Sequence, residues 1–378
     1  MWSKRSWSHI TNSTLRIVIG LVCLPVGRSL QQPPARPSRA ALPGRGGADM
    51  LPATKGEDIM PGTRRALLGA AATLALPRLA AAQEPMRIVA TFPPGAALDG
   101  IARLLADAAP RHGLGPAIVD NRPGANGNIA AALVSRTPPD GRTLLFAIDT
   151  AFTVNPHIYR GLGYEPAALE PVAMAGTYPV VLLVHPSTGI ATLAEFLAAA
   201  RRTPLLYASA GNGSPGHLAM AHLGHALGLP AGALEHVPFR GNAEAITALL
   251  AGQVQAGFIA ISGGAAFVTD GRLRALAVSG PTPIPALPNV APVAAQGHPG
   301  FDVRFAYLLM GPRGVPEAAK RGWAEAVRAV FADPASQTRL SGWAVTPETG
   351  DAAAGAEWIA RNSPRWREVV QASGMRVE

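Results

Sequence analysis

From Met86 to Val278, short apolar runs alternate with stretches whose apolar residues recur at helical spacing. Residues 86–90, 117–120, 143–148, 171–174, 180–184, 205–208, 236–238, 256–261 and 273–278 read as strands. Residues 101–109, 129–136, 193–201, 217–227 and 243–251 read as helices. Such alternation predicts α/β units built on parallel sheets. A Pro-rich loop at 281–299 then leads to a strand at 305–310 and helices at 317–332 and 352–373. With 378 residues the chain is long enough for two core-bearing domains. Two look-alike segments, V-V-L-L-V-H-P at 180–186 and A-Y-L-L-M-G-P at 306–312, are candidates for strands that cross between domains. On pattern alone they fit two unrelated core strands equally well.

The turns between strand and helix carry the functional signal. Residues 91–100, T-F-P-P-G-A-A-L-D-G, link the first strand to the first helix. The first N–H groups of a helix lack partners and carry partial positive charge, so such a turn favours an anion. Residues 208–217, A-S-A-G-N-G-S-P-G-H, repeat the arrangement. Here Gly211 to Gly216 also matches G-x-G-x-x-G, and Glu235 lies 24 positions beyond Gly211, as a dinucleotide-binding unit requires. Pyrophosphate and carboxylate use the same mechanism, so both ligands stay open, as does a ligand-free turn. In a third stretch, 147–155, Asp149, Thr150 and Thr153 either face a cleft or form a helix cap led by Asp149.

Signals of catalysis are missing. There is no G-x-S-x-G elbow, no H-E-x-x-H and no carboxylate pair placed for acid-base work. His217, His222 and His225 are spaced five and three apart, which fits a helix surface or core better than a metal site. The only cysteine is Cys23. The chain is therefore read as having no catalytic residues, no metal and no cofactor.

Charge is concentrated at the N-terminus. Residues 1–83 hold 11 Lys and Arg against 3 Asp and Glu, a net of +8, whereas residues 84–378 hold 22 against 21, a net of +1. The high pI gives no case for nucleic acid as a partner. Residues 63–82 carry Arg64-Arg65, an apolar stretch at 66–76 and the small-residue site Ala80-Ala81-Ala82, the pattern of a secretory signal by a twin-arginine or general route. Residues 1–59 then read as an upstream extension and Met60 as a start. Export to the periplasm follows from this reading.

Several stretches together resemble the Bug family, the extracytoplasmic solute-binding receptors of tripartite tricarboxylate transporters. They are F-P-P-G-x-x-x-D at 92–99, N-R-P-G-A-x-G-N-I at 121–129, P-P-D-G-x-T-L-L at 138–145 and N-P at 155–156. Y-A-S-x-G-N-G-S at 207–214, H-L at 217–218, H-V-P-F-R-G at 236–241, G-x-L-R-A-L-A-V at 271–278 and W-x-x-V-x-x-S-G at 366–374 follow. The resemblance spans nearly all of residues 84–378. It implies a type II periplasmic-binding-protein fold, two α/β domains joined by two crossing strands around a ligand cleft. The domains would be 84–184 with 301–378, and 185–300. It implies a small carboxylate ligand held by loop amides, hydroxyls and water without an arginine clamp. The binding residues would be Phe92, Pro93, Pro94, Gly95, Ala96, Asp149 and Thr150, facing Ser209, Gly211, Asn212, Gly213, Ser214 and His217. Asp99 would hold its loop. The partner would be a membrane transporter or a sensor kinase, and the receptor a monomer.

The sequence departs from the family pattern. Ala96 stands where a glycine is usual and Leu98 where Thr is usual. Ile148, Asp149, Ala151 and Phe152 replace small polar types, and Ile259-Ala260-Ile261-Ser262 replaces a polar turn. A less polar cleft with one added acid is expected, and with it a ligand bearing one carboxylate on an apolar body.

Overall fold

A computed structural model describes residues 84–262 and 264–377. The proposed leader, its cleavage site and Cys23 lie outside the described residues. Among the described residues no helix is long and apolar enough to cross a membrane.

The chain forms two α/β lobes, each around its own sheet. The first opens with β1 (Met86–Ala90), α1 (Ala97–Ala108), β2 (Ala117–Asn121), α2 (Asn128–Val134) and β3 (Thr143–Ile148). The short helices α3 (Thr150–Thr153) and α4 (Asn155–Ile158) lead to β4 (Leu169–Pro179). The chain then enters the second lobe: β5 (Val181–Val184), α5 (Leu193–Ala200), β6 (Leu205–Ser209), α6 (Pro215–Ala226), β7 (Leu234–Pro238), α7 (Asn242–Leu250), β8 (Ala256–Ile259), α8 (Ala265–Thr269) and β9 (Arg274–Val278). It returns through β10 (Arg304–Pro312), α9 (Glu317–Ala332), α10 (Pro334–Gly342), β11 (Thr346–Asp351) and α11 (Ala352–Ser373).

The six-stranded sheet has the order β11-β4-β10-β3-β1-β2, and the five-stranded sheet the order β7-β6-β8-β5-β9. Parallel pairing, as expected from the alternation, holds for β1 with β2 and β3 and for β6 with β7 and β8. The returning strand β10 runs antiparallel to β3 and β4, and β5 runs antiparallel to β8 and β9. Both sheets are therefore mixed. Strand β11, T-P-E-T-G-D, has the composition of a turn and forms at the sheet edge by pairing with β4.

Local chemistry explains most helices. Helix α1 puts Leu98, Ile101, Ala102 and Leu105 on one buried face, the spacing of an amphipathic helix. Helix α5 starts at a capping box: Thr192 Oγ1 accepts from Glu195 N–H at 3.1 Å, and Glu195 accepts from Thr192 N–H at 3.2 Å. Helix α11 reaches the second lobe, where Arg365 Nη2 meets His222 Nε2 at 3.2 Å.

The crossings differ from the expected hinge strands. β5 lies wholly in the second sheet and β10 in the first, so the chain changes lobe at 179–181 and again between Ser279 and Arg304. A buried run such as Val-Leu-Leu-Val fits either sheet, and only its partners decide. Ser279 ties the crossings together. Its Oγ accepts from Val180 N–H at 2.9 Å and donates to Val303 O at 2.6 Å. Its N–H donates to Val180 O at 2.9 Å, and its carbonyl accepts from Val303 N–H at 2.8 Å. Ser279 is fully buried. The Ser279→Ala variant strands the Val180 N–H and the Val303 carbonyl, so denaturant unfolding should show a loss of roughly 1–3 kcal/mol.

Candidate ligand cleft

The first wall is the turn after β1. Pro93 and Pro94 remove two backbone donors, and Gly95 turns the chain at φ +91°, which a side chain rarely adopts. Asp99, in the first turn of α1, holds this turn. It accepts from Gly95 N–H at 3.1 Å, from Asn121 Nδ2 at 3.0 Å and from Arg103 at 3.0 Å. Burial raises the Asp99 carboxyl, but these hydrogen bonds outweigh it and keep its pKa below the usual value. Asp99 thus holds its loop as expected. The Gly95 N–H is engaged inside the loop, which corrects the expectation that it points at a ligand.

The second wall is 123–127. Ala125 and Asn126 both take positive φ, at +47° and +50°. Asn126 Nδ2 donates to Asn155 Oδ1 at 2.8 Å and to Gly213 O, on the opposite lobe, at 3.0 Å. Asn155 Nδ2 returns bonds to Asn126 O at 3.1 Å and Asn128 Oδ1 at 2.7 Å. Gly213 has to be glycine here: its φ is +71°, and a Cβ would lie 2.4 Å from Ile158 Cδ1. The lobes therefore meet at Asn126 and Gly213.

Behind the 208–217 loop lies a stack of aromatic rings. His217 and His236 stack at 3.7 Å between centroids, and Tyr207 stacks on His236 at 5.1 Å. His217 Nδ1 accepts from Gly213 N–H at 3.2 Å, so that nitrogen carries no proton. His236 Nε2 lies 2.6 Å from Ser209 Oγ, which also accepts from Gly211 N–H at 3.2 Å. Burial and the neighbouring His236 keep His217 well below its usual pKa, and burial pushes His236 down to about 4. Both rings are neutral props at physiological pH.

Two adjoining cavities lie between the lobes. One, of about 530 Å³, is lined by Thr91 to Pro93, Pro123 to Gly127, Tyr159, Val377, Ala210 to Asn212, Phe239 and Arg240. The other, of about 680 Å³, is lined by Phe92 to Ala96 and, across from them, by Arg240 to Glu244, Ile246, Thr247, Leu250, Ser262 and Phe267. Of the expected binding residues, Phe92, Pro93, Pro94, Gly95, Ala96, Gly211 and Asn212 border this space. Gly213 sits at the lobe contact. Thr150, Ser209, Ser214 and His217 are buried and line neither cavity. With Gly95, Gly211 and Gly213 engaged, and Ser214 N–H bonded to Gly211 O at 3.2 Å, the loop donors are fewer than expected. Among the described residues no protein acceptor takes the N–H of Phe92 or of Asn212, and both border the smaller cavity.

Asp149 is not the cleft acid expected from the sequence. It is fully buried and lines neither cavity. Its Oδ2 accepts from Trp358 Nε1 at 2.6 Å and its Oδ1 from Ala306 N–H at 3.2 Å, tying β3 to β10 and α11. Burial pushes its carboxyl up to about 7, against the pull of the Trp358 and Ala306 donors. Leu98, Ala151, Phe152, Ile259 and Ile261 are buried too, so these family departures alter the core and not the cleft. Sequence reasoning passed over Asn126 and Arg240 as site residues, although both lie in the motif stretches 121–129 and 236–241. A glycine-rich loop shows that a site is near but not which side chain crosses it.

The chain is similar to several known proteins. Residues 101–375 match the model of the tripartite tricarboxylate transporter family receptor. A UPF0065 protein of Bordetella pertussis is 32% identical over 254 residues, covering 67% of this chain and 78% of that protein. BugT of Bordetella pertussis is 31% identical over 237 residues, covering 61% and 71%. Among solved structures, R. palustris Rpa4515 with adipate aligns at TM-score 0.71 and 27% identity, covering 77% of this chain and 98% of that one. MatC from Rhodopseudomonas palustris with bound malate aligns at 0.65 and 26%, covering 76% and 98%. The periplasmic binding protein BugD aligns at 0.69 and 26%, covering 78% and 99%. The two-lobed architecture is the type II periplasmic-binding-protein fold.

The Asp149→Asn variant tests whether this carboxyl takes part in ligand binding. Its affinity for ligand should stay within about twofold of wild type by calorimetry, as no cleft charge changes. The folded-state pKa of Asp149 is raised, so its contribution to stability is full below pH ~4 and is lost as pH rises towards 7. The stability of wild type relative to Asp149→Asn should therefore fall over that window, by up to about 1.4 kcal/mol per pH unit.

Proposed function

The chain belongs to the tripartite tricarboxylate transporter receptor family, and on that premise we propose that it is a periplasmic receptor that captures a small carboxylate and presents it to a tripartite tricarboxylate-type transporter. The observation that carries this reading is the cavity beside the Asn126–Gly213 contact, walled by loops of both lobes. A carboxylate there is reached by the open N–H groups of Phe92 and Asn212, one from each lobe. Such a ligand interacts with both lobes only when they are together, so it favours the closed state by its differential affinity. Asn126 adds a direct bond between lobes to the same state. Carboxylates in the related Rpa4515 and MatC structures support the ligand class.

Binding without chemistry fits the residues. The two cavities are lined mostly by apolar groups and backbone, with no histidine or paired carboxylate among the lining residues. A dinucleotide fits poorly on Gly211 to Gly216. The Gly211 and Gly213 N–H groups are engaged by Ser209 and His217, and Gly216 packs against Phe258 O, where a Cβ would lie at 2.1 Å.

A thermal-shift screen tests the reading. Carboxylates at about a hundredfold excess over Kd should stabilise the protein by about 2.7 kcal/mol, and NAD should not move the midpoint. The opposite result refutes carboxylate capture. Replacing Asn126 with Ala removes the bond between lobes and should weaken carboxylate binding about tenfold in calorimetry.

A further inference from the structure

Helix α6 and the loop before it touch the first lobe at two places. The loop carries Gly213, whose carbonyl meets Asn126, and further along the helix His222 meets Arg365 of α11. His222 lies roughly 10 Å along the axis from the helix start at Pro215. A shift of α6 against α11 therefore moves the cleft loop against Asn126.

The pair is built for a neutral histidine. Arg365 can only donate, so His222 Nε2 accepts at 3.2 Å and the ring proton sits on Nδ1. That Nδ1 is buried, and among the described residues it has no partner. Phe301 and Trp366 flank the ring, at 5.2 and 6.2 Å between centroids. Arg365 is held from its other side: Nη1 donates to the Asp302 carbonyl at 2.7 Å, and the guanidinium lies 5.1 Å over the Trp366 ring. Asp302 belongs to the returning crossing between the lobes, and its carboxylate is taken by Arg304 through two bonds of 2.9 Å. Among the described residues no carboxylate pairs with His222. The charged and titratable groups that act on it are Arg365 from α11 and His225 from its own helix. Burial, then these two neighbours, push its pKa down to about 4.

We propose that the Arg365–His222 contact is a proton-released latch between the lobes. With the ring neutral, the latch holds α6 against α11 and the cleft shut. A proton from solvent on Nε2 removes the acceptor and sets two cations face to face, and the lobes part. A solvated histidine takes up a proton near pH ~6.5, so the open state gains it first. Linkage then shifts the lobes towards the open state as pH falls from about 6.5 towards 4. Acid thereby favours release of any ligand that needs both lobes.

Small-angle X-ray scattering of the ligand-free protein tests this, whatever the cleft binds. Between neutral pH and about pH 5, wild type should enlarge its radius of gyration reversibly, with its near-ultraviolet circular dichroism unchanged. His222→Gln places an acceptor near the position of Nε2 but cannot titrate. It should match wild type at neutral pH and stay compact in acid. His222→Leu and Arg365→Met lack the bond, so both should be expanded already at neutral pH, by about a tenfold shift in the ratio of open to closed molecules. His217 and His236 are intact in every variant, so any acid response of theirs is common to all. An acid expansion of His222→Gln equal to that of wild type overturns the proposal. So do neutral-pH dimensions of His222→Leu and Arg365→Met equal to those of wild type.

Discussion

The buried hydroxyl of Ser279 is the point on which the two-lobed arrangement turns. The chain crosses between sheets at Val180 and again after Ser279, and one side chain bonds to both crossings. Backbone groups at such a buried junction cannot be left to water. Satisfying them through a serine keeps the crossings side by side. The loops at the opposite ends of the strands then face one another across the cleft.

At the cleft itself, most polar groups are engaged within the protein. Asp99 engages the Gly95 N–H, Ser209 the Gly211 N–H and His217 the Gly213 N–H. These bonds make the loops rigid, and a rigid loop loses little entropy when a ligand arrives. Phe92 and Asn212, whose N–H groups have no protein acceptor among the described residues, border the smaller cavity, as does Asn126 of the lobe contact. The stacked His217 and His236 support this arrangement from behind as neutral rings. Their depressed pKa values make acid a threat to the loop, because charging either ring opposes its burial.

Much of this was legible in the sequence. The 91–100 and 208–217 turns were marked by Pro and Gly between apolar runs, and both proved to border or support the cleft. The role of Asp99 was also legible, as an acid in the first turn of a helix with a glycine four residues earlier. The orientation of Asp149 was not. Its partners, Ala306 and Trp358, lie 157 and 209 positions away, beyond any local pattern. Strand β11 was hidden for the same reason, since a Pro- and Gly-containing segment becomes a strand only when β4 offers it an edge.

The sequence by itself determined the α/β character, the position of the turns and the places where backbone must bend as only glycine easily can. These properties depend on residues within a few positions of one another, through periodicity and allowed dihedral angles. The tertiary structure alone decided which sheet Val181–Val184 joins, which loop N–H groups remain open and that Asp149 is buried while Asn126 borders the cleft. Each of these depends on contacts between residues far apart in the chain, and a hydrogen bond across such a distance leaves no local trace in the sequence.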